Sequence, residues 1–391
     1  MRRVLILGGT GVFGSRLARH LVRHPGGLAP LEVVVTSRDP RRAERMAASL
    51  GSGMRGVAAE ARDLPRTLTA ERPWAVVDCS GPFQGAGHGT ARAILDAGAH
   101  AVDLADARDY LAGHGALDAT ARLRGVAALA GASSTPALSG AVARRLVGGW
   151  SRVEAIEFAI VPGGRSDVGR AVLEAVLSYA GRPVPVWRDG ARAEVPGWLD
   201  WRDLEIAGLG RRRVAPVETF DAERLGPLLR AGRLTFWAGL DSGMERLGLG
   251  AVALLRRRGL VPDPRPLAGP LRRMRRLTRL TGGDAGGMVA SATGADAQGR
   301  PCAARWVLVA RRGDGPQVPT LPAAAALRAL ARGTVPPGAR LADEVVDLAA
   351  IEAEAAPYAI ETALTRSVDR PRAPDATAEG TVPATAPPRP A

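Results

Sequence analysis

A glycine-rich run near the start of the chain, GGTGVFG, has the spacing of a phosphate-binding turn. It follows a short apolar strand at residues 4–7 and opens a segment whose apolar residues recur every four positions. Gly9 allows a tight turn, Gly11 lets a diphosphate approach the backbone, and Gly14 lets the helix pack on the strand. Because the free amides of a helix N-terminus attract anions, the run predicts a dinucleotide-binding turn rather than an ordinary strand-to-helix turn. Its residues are Gly8, Gly9, Thr10, Gly11, Val12, Phe13 and Gly14.

The end of the second predicted strand indicates which dinucleotide binds. An NAD enzyme usually places an acidic residue there for the ribose 2′-hydroxyl, whereas this chain has Ser37 and Arg38. A guanidinium binds a 2′-phosphate through two hydrogen bonds and stacks on adenine. Asp39 argues against this, but Pro40 after it indicates that Asp39 caps the next helix. The pattern favours NADP over NAD.

Two further segments are predicted to contact the cofactor. Asp63 and Leu64 follow the third strand, where adenine contacts usually fall; the alternative is that Asp63 caps a short helix. The fourth strand ends in a turn that would face the nicotinamide ribose, where bulky side chains would block binding. The residues of this turn are Ser80, Gly81, Pro82 and Phe83.

Hydride transfer also needs a group that gives or takes a proton near the substrate. Asp106, with Tyr110 just beyond it, follows the fifth strand, and open α/β sheets bind ligands beyond their strand carboxyl ends. The alternative is that Asp106 caps the next helix and pairs with Arg108. His88 follows the fourth-strand turn and is a third catalytic candidate, although it also fits the start of a helix.

Other polar residues have weaker interpretations. Ser133, Ser134 and Thr135 follow the sixth strand and either bind an anionic group or the carboxamide, or cap a helix. His20 and His24 fall on the polar side of the first helix, where we expect solvent.

The elements that must position these residues alternate between short apolar strands and helical patterns. This alternation predicts an α/β fold with an N-terminal Rossmann domain, a doubly wound parallel sheet of six strands, over residues 1–150. Mixed strands and helices over residues 151–366 predict an α+β domain for substrate binding and dimerisation, so a homodimer is a candidate assembly. Residues 367–391, rich in Pro and Ala, predict a disordered tail.

The composition excludes several kinds of catalytic chemistry and of binding partner. The 391 residues carry a net charge of +14, but they contain no Lys, which excludes a Schiff base and a lysine acid or base. Two cysteines cannot build a disulfide framework or a multi-cysteine zinc site, and no metal is predicted. With 4% aromatic residues and no recognisable motif, nucleic acid is not an expected partner. The short apolar N-terminal stretch does not fit a signal peptide, and we expect a cytoplasmic protein.

A basic segment in the second domain has two interpretations. Apolar residues recur there every three positions, with arginines between them, which predicts a basic amphipathic helix. Such a helix lies on an anionic membrane, or it packs on its own domain with the arginines in solvent. The apolar run at residues 247–255, followed by three arginines, adds to the membrane interpretation. The helix residues are Leu271, Arg272, Arg273, Met274, Arg275, Arg276, Leu277, Arg279 and Leu280.

Four runs together, GGTGVFG, DCSGPF, DAGAHAVDLAD and GASSTPALSG, resemble the saccharopine dehydrogenase-like oxidoreductases, which carry a saccharopine dehydrogenase NADP-binding domain. They cover roughly the first 150 residues, and GRAVLEAVLSYAGRPV and GPQVPTLPA resemble the second domain of bacterial relatives. The resemblance implies a Rossmann domain binding NADP, a second domain closing over it, and hydride transfer. The family acts on amino acids, polyamine precursors and, in some branches, lipid-like enoyl groups.

We therefore expect an NADP-dependent oxidoreductase acting on a small organic or lipid-like molecule. Because the chain has no Lys, family branches that rely on a lysine acid or base are excluded. Two alternatives remain open at this point. One is an NADP-binding sensor or regulator without catalysis, and the other is a peripheral membrane protein located by its basic helix.

Overall fold

The computed structural model describes residues 1–59, 63–166, 168–278 and 282–367. Two sheets, each with helices packed on it, organise these residues. The strands are β1 (Arg2–Leu7), β2 (Leu31–Ser37), β3 (Arg55–Ala58), β4 (Ala75–Asp78), β5 (His100–Asp103), β6 (Ala127–Ala130), β7 (Arg152–Val161), β8 (Pro183–Arg188), β9 (Ala191–Pro196), β10 (Arg202–Ile206), β11 (Gly210–Pro216), β12 (Ala231–Gly239), β13 (Gly286–Ala295), β14 (Pro301–Ala310), β15 (Gly338–Leu341) and β16 (Ile360–Ser367).

Most helices follow the strands that they cover. They are α1 (Val12–Arg23), α2 (Pro40–Leu50), α3 (Leu64–Glu71), α4 (Gly89–Asp96), α5 (Arg108–Gly113), α6 (Asp118–Leu123), α7 (Ser139–Val147), α8 (Arg170–Tyr179), α9 (Asp221–Leu228), α10 (Gly243–Arg257), α11 (Ala268–Thr278), α12 (Leu321–Ala331) and α13 (Leu348–Ala355). None of the helices in the described ranges is both long and apolar enough to span a bilayer.

The first sheet is parallel throughout, in the order β15-β6-β5-β4-β1-β2-β3. Strands β1 and β2 read as unbroken apolar runs because helices cover both faces of the sheet, and Val4, Leu5 and Ile6 are fully buried. The strand order reverses at β1, between β2 and β4, which opens the crevice where doubly wound sheets bind ligands. The predicted Rossmann sheet is confirmed, with one strand more than predicted.

The additional strand, β15, comes from far along the chain. Residues 338–341 pair in parallel with β6 at the edge of the first sheet. In the chain they follow every strand of the second sheet except β16. The sequence predicts one continuous second domain over residues 151–366, whereas the structure returns part of that range to the first sheet. Residues 368–391 of the predicted tail lie outside the described residues, and Ser367 is the last residue of β16.

The returning segment also covers α1, and it makes the solvated interpretation of His20 wrong. His20 is 1% exposed because α12 and α13 pack over this helix. Its Nε2 donates to the Glu354 carboxylate at 2.7 Å, and its Nδ1 lies 2.7 Å from the Tyr358 hydroxyl. Arg328 pairs with the same carboxylate. A buried ion-pair network therefore joins the first helix to the end of the chain.

The second sheet is mixed, in the order β10-β11-β12-β7-β13-β14-β16, with β8 and β9 attached beside β12. At its centre β7 and β12 are parallel, whereas β13, β14 and β16 continue in antiparallel pairs. Trp306 and Phe158 are almost fully buried within the sheet's core. The ends of β7 and β14 and the start of β13 face the carboxyl edge of the first sheet, where they help to form a cavity.

Candidate functional site

The glycine run forms the predicted strand-to-helix turn. Gly8 has φ +68°, a left-handed conformation, and a Cβ there would lie 2.9 Å from the carbonyl oxygen of Cys79. A Cβ on Gly14 would clash with the Gly8 carbonyl oxygen. The turn closes with a hydrogen bond from the Gly11 amide to that oxygen at 2.8 Å. The residue in the left-handed conformation is thus Gly8, one position earlier than the sequence indicates.

This turn fits a diphosphate by its backbone. Gly11 is the N-cap residue of α1, and a helix leaves its first N–H groups without partners inside the helix. No acidic side chain lies in the first turn of α1, so nothing opposes an anion there. Thr10, Val12 and Phe13 complete the rim, and Phe13 also lines the cavity between the two sheets.

The end of β2 agrees with the NADP pattern. Asp39 caps α2, since its carboxylate accepts from the amides of Arg41 at 3.0 Å and Arg42 at 3.4 Å. The expectation that Asp39 is a helix cap is confirmed. Ser37 accepts a hydrogen bond from the Asp39 amide at 3.3 Å. The exposed Arg38 makes no hydrogen bond or ion pair with any described residue, and its guanidinium is free for a phosphate.

The predicted adenine contacts divide between solvent and core. Leu64 is 3% exposed and packs in the hydrophobic core beneath the sheet. Asp63 is exposed at the N-cap position of α3, but its side chain does not make the capping bond of the alternative interpretation. Leu64 is therefore a core residue, and contact of the exposed Asp63 with the cofactor stays a prediction.

The turn after β4 lies at the mouth of the cavity. Asp78 accepts from the Ser80 amide at 2.9 Å and from the Ser80 hydroxyl at 2.5 Å, which holds the turn against the strand end. The Gly81–Pro82 peptide bond is cis. Phe83 is mostly buried, with its ring centroid 5.1 Å from that of Tyr110. Gly81, Pro82 and Phe83 all line the cavity, and the neighbouring glycine turn contacts this segment directly.

The cavity has a volume of about 340 Å³ and lies between the carboxyl edge of the first sheet and the second sheet. The first-sheet side contributes Cys79, Gln84, Asp106 and residues 133–135. The second-domain side is almost wholly apolar and includes Val172 and Met288. Asp106 is the single charged side chain among the described lining residues.

Asp106 is held toward this space. Its Oδ1 accepts a hydrogen bond from Nε2 of Gln84 at 3.1 Å, and the amide oxygen Oε1 of Gln84 is buried without a protein partner in the described chain. Asp106 is an exposed residue, but the protein around its carboxyl group replaces part of the surrounding water and raises its pKa above the ordinary value, against the lowering effect of the Gln84 hydrogen bond. The protonated form of Asp106 is therefore more stable here than in water.

The alternative role for Asp106 is wrong. Ala107, not Asp106, occupies the N-cap position of α5. Arg108 pairs instead with Asp109 at 2.8 Å and with Glu223 at 3.4 Å. Asp106 thus remains oriented to the cavity by Gln84, a residue that the sequence analysis did not select because an isolated glutamine carries no motif.

The structure places Tyr110 and His88 behind the cavity wall. The Tyr110 hydroxyl donates to the Asp103 carboxylate at 3.1 Å, and burial together with that negative charge raises the pKa of Tyr110. His88 Nε2 donates to the Tyr110 carbonyl oxygen at 2.9 Å. Neither residue lines the cavity. Both side chains help to fix the loop after β5, and the catalytic role predicted for them stays a prediction that this placement does not favour.

Asp103 is the centre of that support. Its buried carboxylate accepts from the amides of Ala105 at 3.0 Å and Gly131 at 2.8 Å. Burial raises the pKa of Asp103 to about 6, although these hydrogen bonds favour the charged form. The bonds tie the ends of β5 and β6 together, which positions Asp106 and the Ser133–Thr135 segment at one edge.

Ser133, Ser134 and Thr135 all line the cavity. Ser133 is at the start of a short helical turn but makes no side-chain capping bond. The capping alternative for Ser133 is therefore wrong, and contact of this segment with a ligand stays a prediction. On the opposite wall, Ser166 is 6% exposed and is the polar side chain that the described residues of the second domain contribute. No cluster of three or more metal-binding side chains occurs within the described residues.

Comparisons with known proteins agree with this geometry. Residues 4–129 match the family model of the saccharopine dehydrogenase NADP binding domain. The chain is similar in fold to saccharopine dehydrogenase (L-Glu forming) from Saccharomyces cerevisiae, with a TM-score of 0.66 at 14% identity, covering 94% of this chain and 100% of that one. Amine dehydrogenase from Mycobacterium smegmatis gives a TM-score of 0.46 at 12% identity, covering 89% and 96%. No curated protein matches the chain in sequence.

The family match covers the glycine turn, the end of β2 and the turn after β4. The fold similarity extends over both sheets. The resemblance identified from the motifs is thus confirmed, and NADP is the cofactor. The chain carries the NADP-binding domain of the saccharopine dehydrogenase family and is an NAD(P)-dependent oxidoreductase.

Proposed function

We propose that this oxidoreductase transfers a hydride between NADPH and an uncharged, largely apolar organic molecule held in the cavity. The observation that carries the proposal is the cavity lining, which among the described residues includes Asp106 but no arginine. A substrate carboxylate buried there would lose its hydration without gaining a cationic partner, which is costly. The lining therefore favours a neutral ketone, imine or activated alkene over an amino acid.

Different residues of the chain would bind different parts of the cofactor. The amides at the start of α1 would hold the diphosphate, and Arg38 with Ser37 would hold the 2′-phosphate. When bound, NADPH supplies the hydride. Residues 133–135 and the turn at Gly81 would border the nicotinamide, since both lie where the first sheet's strands end.

Asp106 is the residue that can donate a proton to the substrate or accept one from it. During reduction, hydride addition to one atom of the double bond leaves the other atom electron-rich, and that atom takes the Asp106 proton. The resulting carboxylate keeps the Gln84 hydrogen bond and regains a proton from solvent. During oxidation the same carboxylate accepts the proton. The raised pKa of Asp106 favours the donor role.

A matched substrate screen tests the proposal. Compounds with a reducible double bond would be supplied in pairs, as the methyl ester and as the free acid, and NADPH oxidation followed by absorbance. We expect turnover of the esters and little turnover of the acids, since only the acids place a charge in the apolar space.

Equal or faster turnover of the free acids would contradict the substrate class.

As a control, each compound that is turned over would also be measured with the Arg38→Ala enzyme at saturating NADPH. Because Arg38 is assigned to the cofactor, the preference for ester over acid should not change. A changed preference would mean that Arg38 contacts substrate instead.

A further inference from the structure

Helices α10 and α11 are consecutive and are joined at their far ends by an ion pair; residues 243–278 are here called the basic hairpin. The short connection between the two helices brings the end of α11 back to the start of α10, where Arg275 pairs with Glu245 at 3.5 Å. Arg275 is 8% exposed, so this arginine, predicted to lie in solvent, is a structural residue. The hairpin is thus a folded unit of the second domain.

One face of α10 presents apolar side chains to solvent. Met244 is 61% exposed and Leu247 is 77% exposed, and Leu254 and Leu255 continue the same face at helical spacing. The opposite face holds the buried Leu249 and Ala253. An ordinary surface helix would place polar residues where these leucines are.

The exposed apolar residues of the protein are concentrated here. Nine large apolar side chains are exposed in the described residues, and six of them lie in the basic hairpin. Single exposed leucines are common on proteins, but a grouping of this kind marks an interaction surface. The six residues are Met244, Leu247, Leu254, Leu255, Leu260 and Leu267.

Positive charge is concentrated on the same hairpin. Residues 243–278 contain nine arginines and two acidic residues, a net charge of +7 out of +14 for the whole chain. Four of the arginines are exposed and have no ion-pair or hydrogen-bond partner among the described side chains. These four are Arg257, Arg258, Arg272 and Arg273.

We propose that the basic hairpin docks on an anionic lipid surface. Exposed leucines enter the boundary between head groups and acyl chains, while unpaired arginines meet the negative surface potential of the lipid. The two contributions occur together on one folded element, and neither has another use in the described structure. This proposal does not depend on the substrate class proposed above.

A second copy of the chain fits the hairpin less well. In a two-fold symmetric dimer the same patch faces itself, so one hairpin with a net charge of +7 would meet another. Like charges across an interface oppose association. A surface of opposite charge removes this cost, and anionic lipid also receives the apolar side chains.

The hairpin is connected to the cavity through α8. Nη1 of Arg256 donates to the carbonyl oxygens of Leu177 at 3.0 Å and Ser178 at 2.8 Å, at the end of that helix. Helix α11 packs on α8 as well. Ala171, Val172 and Ala175 of α8 line the cavity, so docking would hold the cavity wall close to the lipid.

Vesicle sedimentation with the full chain tests the docking surface. One set of vesicles would contain phosphatidylserine and phosphatidylcholine in equal parts, and the other only phosphatidylcholine. We expect binding to the first set and little to the second. A variant with Arg257, Arg258, Arg272 and Arg273 all changed to Glu should lose at least about 100-fold in partition coefficient, since each basic residue contributes roughly fivefold.

A matched variant separates local from global charge. Four exposed arginines outside the hairpin, which also lack partners among the described residues, would be changed to Glu: Arg188, Arg230, Arg233 and Arg332. This variant has the same net charge as the first, so retained binding supports the hairpin. Equal loss in both variants would overturn the proposal, because it would mean that only net charge matters.

A third variant, Leu247→Glu with Leu254→Glu, removes the apolar contribution and should also reduce binding. Unchanged NADPH affinity in each variant shows that the fold is retained. Failure of the unmodified chain to bind the anionic vesicles overturns the proposal. A dimer in sedimentation velocity that Leu247→Glu dissociates overturns it too, because the leucines would then belong to a protein interface.

Discussion

The two walls of the cavity differ in what they supply. The first-sheet wall presents Asp106, Gln84 and the hydroxyls of residues 133–135, whereas the second-domain wall presents mainly apolar side chains, with Ser166 as its polar member. The polar wall is also the wall that adjoins the glycine turn. The difference supports the proposal that Asp106 acts beside the cofactor, and it assigns selection of substrate shape and polarity to the second domain within that proposal.

This division also separates two kinds of support. The polar wall is fixed by hydrogen bonds, above all those that Asp103 accepts from Ala105, Gly131 and Tyr110. The apolar wall depends on the packing of α8 and the second sheet. We therefore expect changes in the polar wall to affect rate, and changes in the apolar wall to affect substrate affinity.

The largest expected effect comes from Asp106→Asn, which removes the proton but keeps the size of the side chain. We expect kcat to fall by about 100- to 10,000-fold, the usual contribution of a general acid or base. NADPH affinity, measured by fluorescence quenching, should not change. The control is Asp109→Asn, an exposed carboxylate outside the cavity that pairs with Arg108. An Asp106→Asn enzyme with normal kcat would show that the polar wall carries no chemistry.

The pH dependence of kcat sharpens the same assignment. An acid acts only when protonated, so kcat for reduction should be level at low pH and fall as pH rises through the pKa of Asp106. Because desolvation by the neighbouring protein raises that pKa, the fall should come at higher pH than for an aspartate in free solution. A rate that instead rises with pH over this range would be evidence against a donor role.

The next effect concerns the turn beside the polar wall. In Gly11→Val the new side chain stands where the diphosphate would approach the amides, so NADPH affinity should fall by at least about 100-fold, equivalent to two lost charge-assisted hydrogen bonds. Quenching of protein fluorescence by NADPH measures it. Gly27→Val is the control, since a Cβ there meets nothing within 4 Å. Similar NADPH affinity in both variants would remove the turn from the cofactor site.

Arg38→Ala should have a smaller effect, confined to one cofactor. We expect about a tenfold loss of NADPH affinity with unchanged NADH affinity, because only NADPH carries the 2′-phosphate. Titration of both cofactors measures the ratio. Arg45→Ala, also exposed and one turn along α2, is the control and should leave both affinities as they are. Parallel loss for both cofactors would contradict the role of Arg38.

The smallest expected effect tests the apolar wall. Val172→Thr keeps the shape of the side chain but places a hydroxyl against the substrate without a partner, which should raise KM about fivefold. The rate at saturation and the NADPH affinity should stay the same. Val176→Thr, on the same helix but outside the cavity lining, is the matched control. A fall in kcat with unchanged KM would contradict the expectation that the apolar wall affects substrate affinity and not rate.

The polar wall and the turn were largely predictable from the sequence because their residues occupy strand ends. A parallel sheet gathers successive strand ends at one edge, which places the Gly81 turn, Asp106 and Ser133 together without further information. By sequence alone Tyr110 and His88 also belong at this edge, because each follows the end of a strand. Their side chains turn back to support the strand ends, and spacing alone does not encode that orientation.

The apolar wall was not predictable in the same way. Ala, Val and Met residues of α8 and the second sheet are indistinguishable in sequence from ordinary core residues. The pairing of β15 with the first sheet was missed for a related reason. The sequence of a four-residue strand does not indicate which strand it pairs with. His20 was assigned to solvent because the segment that buries it lies more than 300 positions later.

The late origin of β15 bears on how the chain is made. Strand β6 leaves the ribosome about 200 residues before the strand that completes its sheet, an interval on the order of ten seconds or more at ordinary rates of synthesis. During that time β6 is an unpaired apolar edge, which is a site for misassociation. The NADP-binding half therefore cannot finish folding until β15 has been synthesised, and most of the second sheet is synthesised before that strand.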